Sequence, residues 1–211
     1  MKKNLLWMLA AILCCGLTTI ALTSCGSDDD PEEQNGGQGE KKATKGDVTL
    51  TFVAQPKALT YFEYDFKYVD AKGNTKTIDI DQDTQSSGSL DDFEFKAIKD
   101  VINVLAANPE YADLNNPFVY RVVLKDQPVG STVTYTTTCH VKEGASISET
   151  LVYALPSVMP SIKLENSNRE LASAFAGFKG QRVSPEQWEQ YVSAMEGKVI
   201  VQGSGEVVVG E

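Results

Sequence analysis

Nucleophilic catalysis in this sequence would depend on its one histidine, His140, which directly follows Cys139. Such catalysis needs a base within hydrogen-bond reach of the nucleophile. Residues 131–142 alternate apolar side chains with threonine, which predicts a strand, and neighbouring residues of a strand point to opposite faces of its sheet. Cys139 and His140 therefore cannot form a catalytic pair. We expect a buried thiol, a surface or hydrogen-bonded histidine, and no enzyme.

Metal chemistry has one candidate in the sequence, the alternate acids Asp79, Asp81 and Asp83. Calcium takes oxygen ligands, and this spacing resembles the opening of a calcium loop. The resemblance ends at Thr84, where an EF-hand loop needs glycine, and at Leu90, where it needs glutamate. The alternative is a solvated loop with acids at a strand end. A zinc site needs several His or Cys ligands, so calcium is the only candidate cofactor.

Ligand binding would depend on exposed aromatic rings, because sugar rings stack on such faces. Tyr61 and Trp188 are the two candidates. Tyr61 is out of phase with an aromatic alternation that follows it, and Trp188 lies on a predicted helix whose apolar stripe is otherwise typical of core packing. The alternation itself predicts a strand that faces a core, since charged residues occupy its other side. Its aromatic members are Phe62, Tyr64, Phe66 and Tyr68.

Alternating apolar residues predict most of the elements that would position these side chains. The predicted strands span residues 47–55, 59–70, 75–80, 118–125, 131–142, 150–154 and 161–165. Turn residues predict connections at residues 71–74 and 127–130. A last hairpin is predicted from residues 198–202 and 206–209 around Gly203-Ser204-Gly205.

Apolar residues at helical spacing predict two helices. One covers residues 95–107, and the other begins after Ser184, which can cap it, with Pro185 at its first position and Gly197 at its end. Together the elements predict a single globular domain over residues 47–211. Its predicted fold is α+β, with mainly antiparallel, sandwich-like β-sheet and two or three helices.

The first 25 residues have the form of an export signal, with Lys2 and Lys3, an apolar run over residues 5–22 and Leu22-Thr23-Ser24-Cys25. The last four residues resemble the lipobox of bacterial lipoproteins. The resemblance implies that residues 1–24 are a signal peptide cut off before Cys25, and that acyl chains such as palmitate on Cys25 anchor the chain. The alternative is an uncleaved transmembrane helix. Among the four cysteines, only Cys139 would remain a thiol.

An acidic cluster follows the lipobox directly. Ser27, Asp28, Asp29 and Asp30 resemble the surface-export signal of Bacteroidota lipoproteins, which implies an outer-membrane lipoprotein exposed at the cell surface. The alternative is a solvated spacer. After Cys25, the chain up to residue 46 contains Ala43 as its only apolar residue apart from glycine and proline, so we expect residues 25–46 to form a disordered acidic tether.

Charge and composition limit the possible partners. The chain carries 19 basic and 29 acidic side chains, and its net charge of −10 repels phosphate backbones, which excludes nucleic acid as a partner. We expect a surface-exposed envelope lipoprotein that acts as a non-enzymatic binding module for a glycan or a protein partner. The alternatives are a structural or adhesion subunit of an envelope assembly, a pore-forming protein with membrane-inserting hairpins, and a surface glycosidase.

Overall fold

Strands dominate the part of the chain that the computed structural model describes, which is residues 18–20, 42–88, 96–168, 170–172, 178–195 and 198–210. The strands are β1 (Thr18–Ile20), β2 (Lys45–Ala54), β3 (Phe62–Val69), β4 (Thr75–Ile80), β5 (Phe118–Pro128), β6 (Thr132–Val141), β7 (Leu151–Ala154), β8 (Ser157–Leu164), β9 (Glu170–Ala172), β10 (Gly180–Val183) and β11 (Ile200–Val208). The helices are α1 (Lys96–Ala106), α2 (Pro185–Met195) and two 3-10 helices, Pro56–Thr60 and Pro109–Asn115.

The strands form three sheets. The largest has the order β1-β11-β6-β3-β4, the second has the order β5-β2-β8-β9, and β10 and β7 form a small pair. Every pair is antiparallel except β1 with β11, which is parallel. The predicted fold class, an α+β fold with mainly antiparallel, sandwich-like sheet, is confirmed.

The two larger sheets pack face to face through aromatic side chains. Phe52 of β2 meets Tyr64 and Phe66 of β3, with ring centroids 5.8 and 5.9 Å apart. The aromatic row of β3 is buried, from Phe62 through Tyr68, as its alternation with charged residues predicts. The hairpin of β3 and β4 also forms as predicted, and Gly73 takes a positive φ of 83° in its turn.

The alternation of apolar residues in β2 is typical of a strand that is buried on one face, but β2 is buried on both faces. Its alternate residues Thr49 and Thr51 are 8% and 4% exposed. Val53 joins Ile102 and Ala106 of α1 in a second apolar cluster on the outer face of the sheet. The helix that covers this face comes later in the chain, so the spacing of apolar residues in β2 does not indicate it.

Both predicted α-helices form. α2 begins after Ser184, whose amide donates to Oε1 of Gln187 at 2.9 Å while the Gln187 amide donates to Oγ of Ser184 at 3.3 Å. This reciprocal pair is a capping box, which satisfies amides that the first helical turn leaves free. The predicted ends at residues 95 and 196–197 lie outside the described residues.

A buried polar side chain fastens the end of β2. Gln55 is fully buried, and its Oε1 accepts a hydrogen bond from the amide of Ala154 on β7 at 2.6 Å. Its Nε2 donates to Oδ1 of Asp113 at 2.5 Å, and the other carboxylate oxygen of Asp113 accepts the Lys57 amide at 2.9 Å. These bonds compensate for burying an amide and tie three parts of the chain together.

The predicted C-terminal hairpin is wrong. Residues Ile200–Val208 form the single strand β11, which pairs with β6 along its length, with a bulge between Val201 and Gly203. Gly205 lies under the ring of Tyr135, because a β-carbon at Gly205 would lie 2.6 Å from Cζ of that ring. Here the glycine admits a neighbouring side chain and makes no turn.

Candidate functional site

The two aromatic candidates for ligand binding, Tyr61 and Trp188, lie together. Their rings meet edge to face with centroids 5.8 Å apart, and Tyr61 is half-buried. Trp188 is only 4% exposed, and its Nε1 donates to the carbonyl of Ala145 at 3.1 Å. Trp188 therefore packs against the core, beside Phe62, and presents no open ring face on which a sugar could stack.

The thiol of Cys139 is buried, with 2% of the residue exposed. Its Sγ accepts a hydrogen bond from Nε2 of Gln202 at 2.8 Å. Burial raises the pKa of Cys139 to about 12, and it also raises the pKa values of the neighbouring Tyr153 and Tyr191 hydroxyls. Because the thiolate and not the thiol is the nucleophile, Cys139 is held in its unreactive form.

His140 lies on the opposite, open face of the same sheet. Its Nε2 lies 2.8 Å from Oε2 of Glu63 on β3, so the histidine is a hydrogen-bonded surface residue. Next to it, Oγ1 of Thr138 donates to Oδ2 of Asp65 at 3.4 Å, and Asp65 pairs in register with Asp79 of β4. These groups share a sheet face that water reaches, and Cys139 is on its far side.

The three calcium candidates separate in the structure. Asp79 is an exposed residue of β4, whereas the carboxylate of Asp81 accepts the Thr84 hydroxyl at 2.8 Å and the Asp83 amide at 2.9 Å. The bond from the Thr84 hydroxyl is the largest cause of a lowered pKa at Asp81. Among the described residues, no group of three or more His, Cys, Asp or Glu side chains is placed to hold a metal ion. Asp81 thus fixes a turn through its carboxylate.

A charged cleft of about 340 Å³ lies where the predicted tether joins the domain. Lys45 forms an ion pair with Asp126, which has a positive φ of 53°. Nζ of Lys125 lies 2.6 Å from Oδ2 of Asp47 and holds the pKa of that carboxyl below its usual value. Because these charges are paired within the protein, the cleft offers a ligand little uncompensated charge.

Strand edges are the remaining candidates, because an unpaired edge exposes a row of main-chain donors and acceptors. The first part of the β5 edge, at Val119 and Arg121, is covered by a loop of the same chain. The Ser87 amide donates to the Val119 carbonyl at 2.8 Å, and the Val119 amide donates to Oγ of Ser86 at 3.2 Å. The Arg121 amide donates to Oγ of Ser87 at 2.7 Å.

Two further edges are short or charged. β9 has three residues, and β4 has six, with Lys76 and Asp79 among them. Short strands and charged side chains are the usual means by which proteins keep edges from pairing with other chains. These two edges are therefore poor candidates for a binding site.

The edge of β11 differs from those of β5, β9 and β4. It is nine residues long, and β1 pairs only with its part from Gly205 to Val207. No described strand pairs with the outer side of its first half, where Val201 and the preceding Val199 are 49% and 59% exposed. This edge combines open main-chain groups with apolar side chains, so it is the candidate site.

No protein-family model, curated protein or solved structure matches this chain. Within the described residues, no helix is long and apolar enough to cross a membrane. The predicted lipidation residue Cys25 and the predicted sorting residues Ser27, Asp28, Asp29 and Asp30 lie outside that part of the chain.

Sequence reasoning missed the β11 edge because it placed a turn at Gly203-Ser204-Gly205. A signal was present, since apolar β-branched residues stand on both sides of the three small ones, at residues 199–201 and 207–209. Glycine inside such a pattern also indicates a bulge or a close approach by another group. Both occur here, at Gln202 and beneath Tyr135.

Proposed function

We propose that this chain is a lipid-anchored, surface-exposed envelope protein whose folded domain binds another protein through the edge of β11. The observation that carries the proposal is the position of β1 in the chain. Thr18–Ile20 lie within the predicted signal peptide, and they are the only described residues that pair with the outer side of β11. Cleavage before Cys25 would remove β1, and no other described strand pairs with the outer side of the nine-residue β11.

A protein partner fits this edge better than a glycan does. An extended segment that joins a sheet edge gains main-chain hydrogen bonds, and its side chains meet those of the edge strand. The exposed Val199 and Val201 supply apolar contacts of that kind. The aromatic rings that could have favoured a glycan are largely used in packing, since Trp188 is buried.

The anchor is tested by labelling cells with a fatty acid. We expect the wild-type protein to take up the label and Cys25→Ala to lose it, while the matched variant Cys139→Ala keeps it because that thiol is buried. Replacing Asp28, Asp29 and Asp30 by Ala should leave the label in place and lower digestion by protease added to whole cells. Label that persists in Cys25→Ala contradicts the anchor, and undiminished digestion contradicts the sorting signal.

The binding edge is tested with a photoreactive amino acid at Val201. As a matched control, the same probe replaces Val104, a valine of α1 that is 74% exposed. In intact cells that produce the lipidated protein, we expect the probe at Val201 to form one discrete protein adduct and the probe at Val104 to form none. Adducts of equal yield at both positions, or at neither, contradict a binding site at β11.

A further inference from the structure

We infer that the partner of the β11 edge is a second copy of this chain, joined by antiparallel pairing of the two β11 strands about a two-fold axis at Ser204. The inference rests on the proposed function, because it needs the edge that β1 leaves. A two-fold interface uses the same surface on both copies, so the surface must be complementary to itself. The sequence of β11 meets that condition.

The residues around Ser204 read nearly the same in both directions. Gly203 and Gly205 flank it, followed by Gln202 and Glu206, which have similar size and shape. Beyond these come Val-Ile-Val at residues 199–201 and Val-Val-Val at residues 207–209. In antiparallel pairing about Ser204, each half of the strand therefore meets the other half of the second copy, with small residues opposite small ones and two of the three apolar residues at 199–201 opposite valines.

The bulge keeps the side chains on matching faces. In the sheet, Val201 and Ser204 pair with Thr138 and Thr136 of β6, which share one face, and Gln202 is the extra residue between them. If Gln202 also has no counterpart on the β11 strand of the second copy, Ile200 lies opposite Val207 of that copy and Val199 lies opposite its Val208. The pairing then covers the exposed Val199, which β1 does not reach.

Charge also permits this contact. The chain has a net charge of −10, so two copies repel each other unless the contact surface is free of opposed like charges. Glu206 is the one acid of β11, and in this register it faces Val201 and Gln202 of the second copy.

The resulting sheet has an ordinary size. Without β1, each copy contributes β11, β6, β3 and β4, so the pair forms one continuous eight-stranded sheet. Sheets of up to about ten strands are common. A single strand pair is a small interface, but two copies anchored in one membrane meet at a raised effective concentration. We therefore expect pairing in the membrane and little pairing of the unlipidated Cys25→Ala protein at high dilution.

A cysteine at the axis tests the inference directly. Residues directly opposite each other in antiparallel strands have Cα atoms about 4.5–5.5 Å apart, which is within the range of a disulfide. Ser204→Cys places one thiol from each copy at that position, and the buried Cys139 does not compete. Thr136→Cys is the matched control, because Thr136 pairs with Ser204 one strand further in and would lie about 14 Å from its counterpart.

We expect lipidated Ser204→Cys, taken from cells without reductant, to contain about tenfold more disulfide-linked dimer than Thr136→Cys. Adding Val199→Lys to Ser204→Cys should reduce the dimer, because the lysine ammonium would face Val208 of the second copy. Monomeric Ser204→Cys, equal dimer in both cysteine variants, or a disulfide to a different protein overturns the inference. If the probe at Val201 still forms a protein adduct of another mass, the second copy is wrong while the proposed protein-binding function stands.

Discussion

The edges of β5 and β11 are both flanked by other residues of the same chain, but the flanking residues differ in origin. β5 is closed by Ser86 and Ser87, which belong to the folded domain and bond to its main chain through side-chain oxygens and an amide. Among the described residues, the outer side of β11 is covered only from Gly205 to Val207, by Thr18–Ile20 of the predicted signal peptide. The proposed cleavage before Cys25 would therefore leave the first edge covered and open the second.

The difference shows that the edges of one sandwich can be protected to different degrees. An unprotected edge is an aggregation hazard, so proteins cover, shorten or charge their edges. β5, β9 and β4 follow that rule by these three means. β11 departs from it with a long strand and exposed valines, which is the departure expected of an edge that another chain covers.

Opening the β5 edge is expected to give the larger effect. The double variant Ser86→Ala and Ser87→Ala removes three side-chain hydrogen bonds to Val119 and Arg121, and each is worth about 1 kcal/mol net. We expect the free energy of unfolding to fall by about 2–3 kcal/mol. Hydrogen exchange should also become faster at the amides of Val119 and Arg121, which lose their acceptors.

Ser204→Ala is the matched control for this prediction. It makes the same change on β11, where the structure gives the hydroxyl no hydrogen-bond partner among the described residues. We expect its free energy of unfolding to change by less than about 0.5 kcal/mol. If the Ser86 and Ser87 double variant is as stable as Ser204→Ala, the loop does not close the β5 edge and the comparison between the two edges fails.

Local patterns could predict the hairpin of β3 and β4 and the cap of α2, because the residues that decide them are neighbours in the chain. Ser184 and Gln187 are three residues apart. The rest depends on distant partners. The burial of Gln55 is set by Ala154 and Asp113, and neither leaves a mark beside Gln55 in the sequence. The candidate site is of this second kind, since the place of β11, second from the end of its sheet, is set by its pairing with the distant strands β6 and β1.

A smaller effect is expected from the packing of β11 against β6, on the side away from β1. A β-carbon at Gly205 would lie 2.6 Å from Cζ of Tyr135, whereas one at Gly203 has no atom within 4 Å. Gly205→Ala must displace the Tyr135 ring, so we expect a loss of about 1–2 kcal/mol in urea unfolding.

Gly203→Ala, made two residues away on the same strand, should change the free energy of unfolding by less than about 0.5 kcal/mol. Tyr135→Leu removes the ring, so Gly205→Ala should cost less when it is added to Tyr135→Leu than when it is made alone. That coupling would locate the strain between the strand and β6, on the side away from the binding edge. Equal costs for the two glycine variants would mean that contact with Tyr135 does not hold β11, and that β11 is held to the sheet by its main-chain pairing alone.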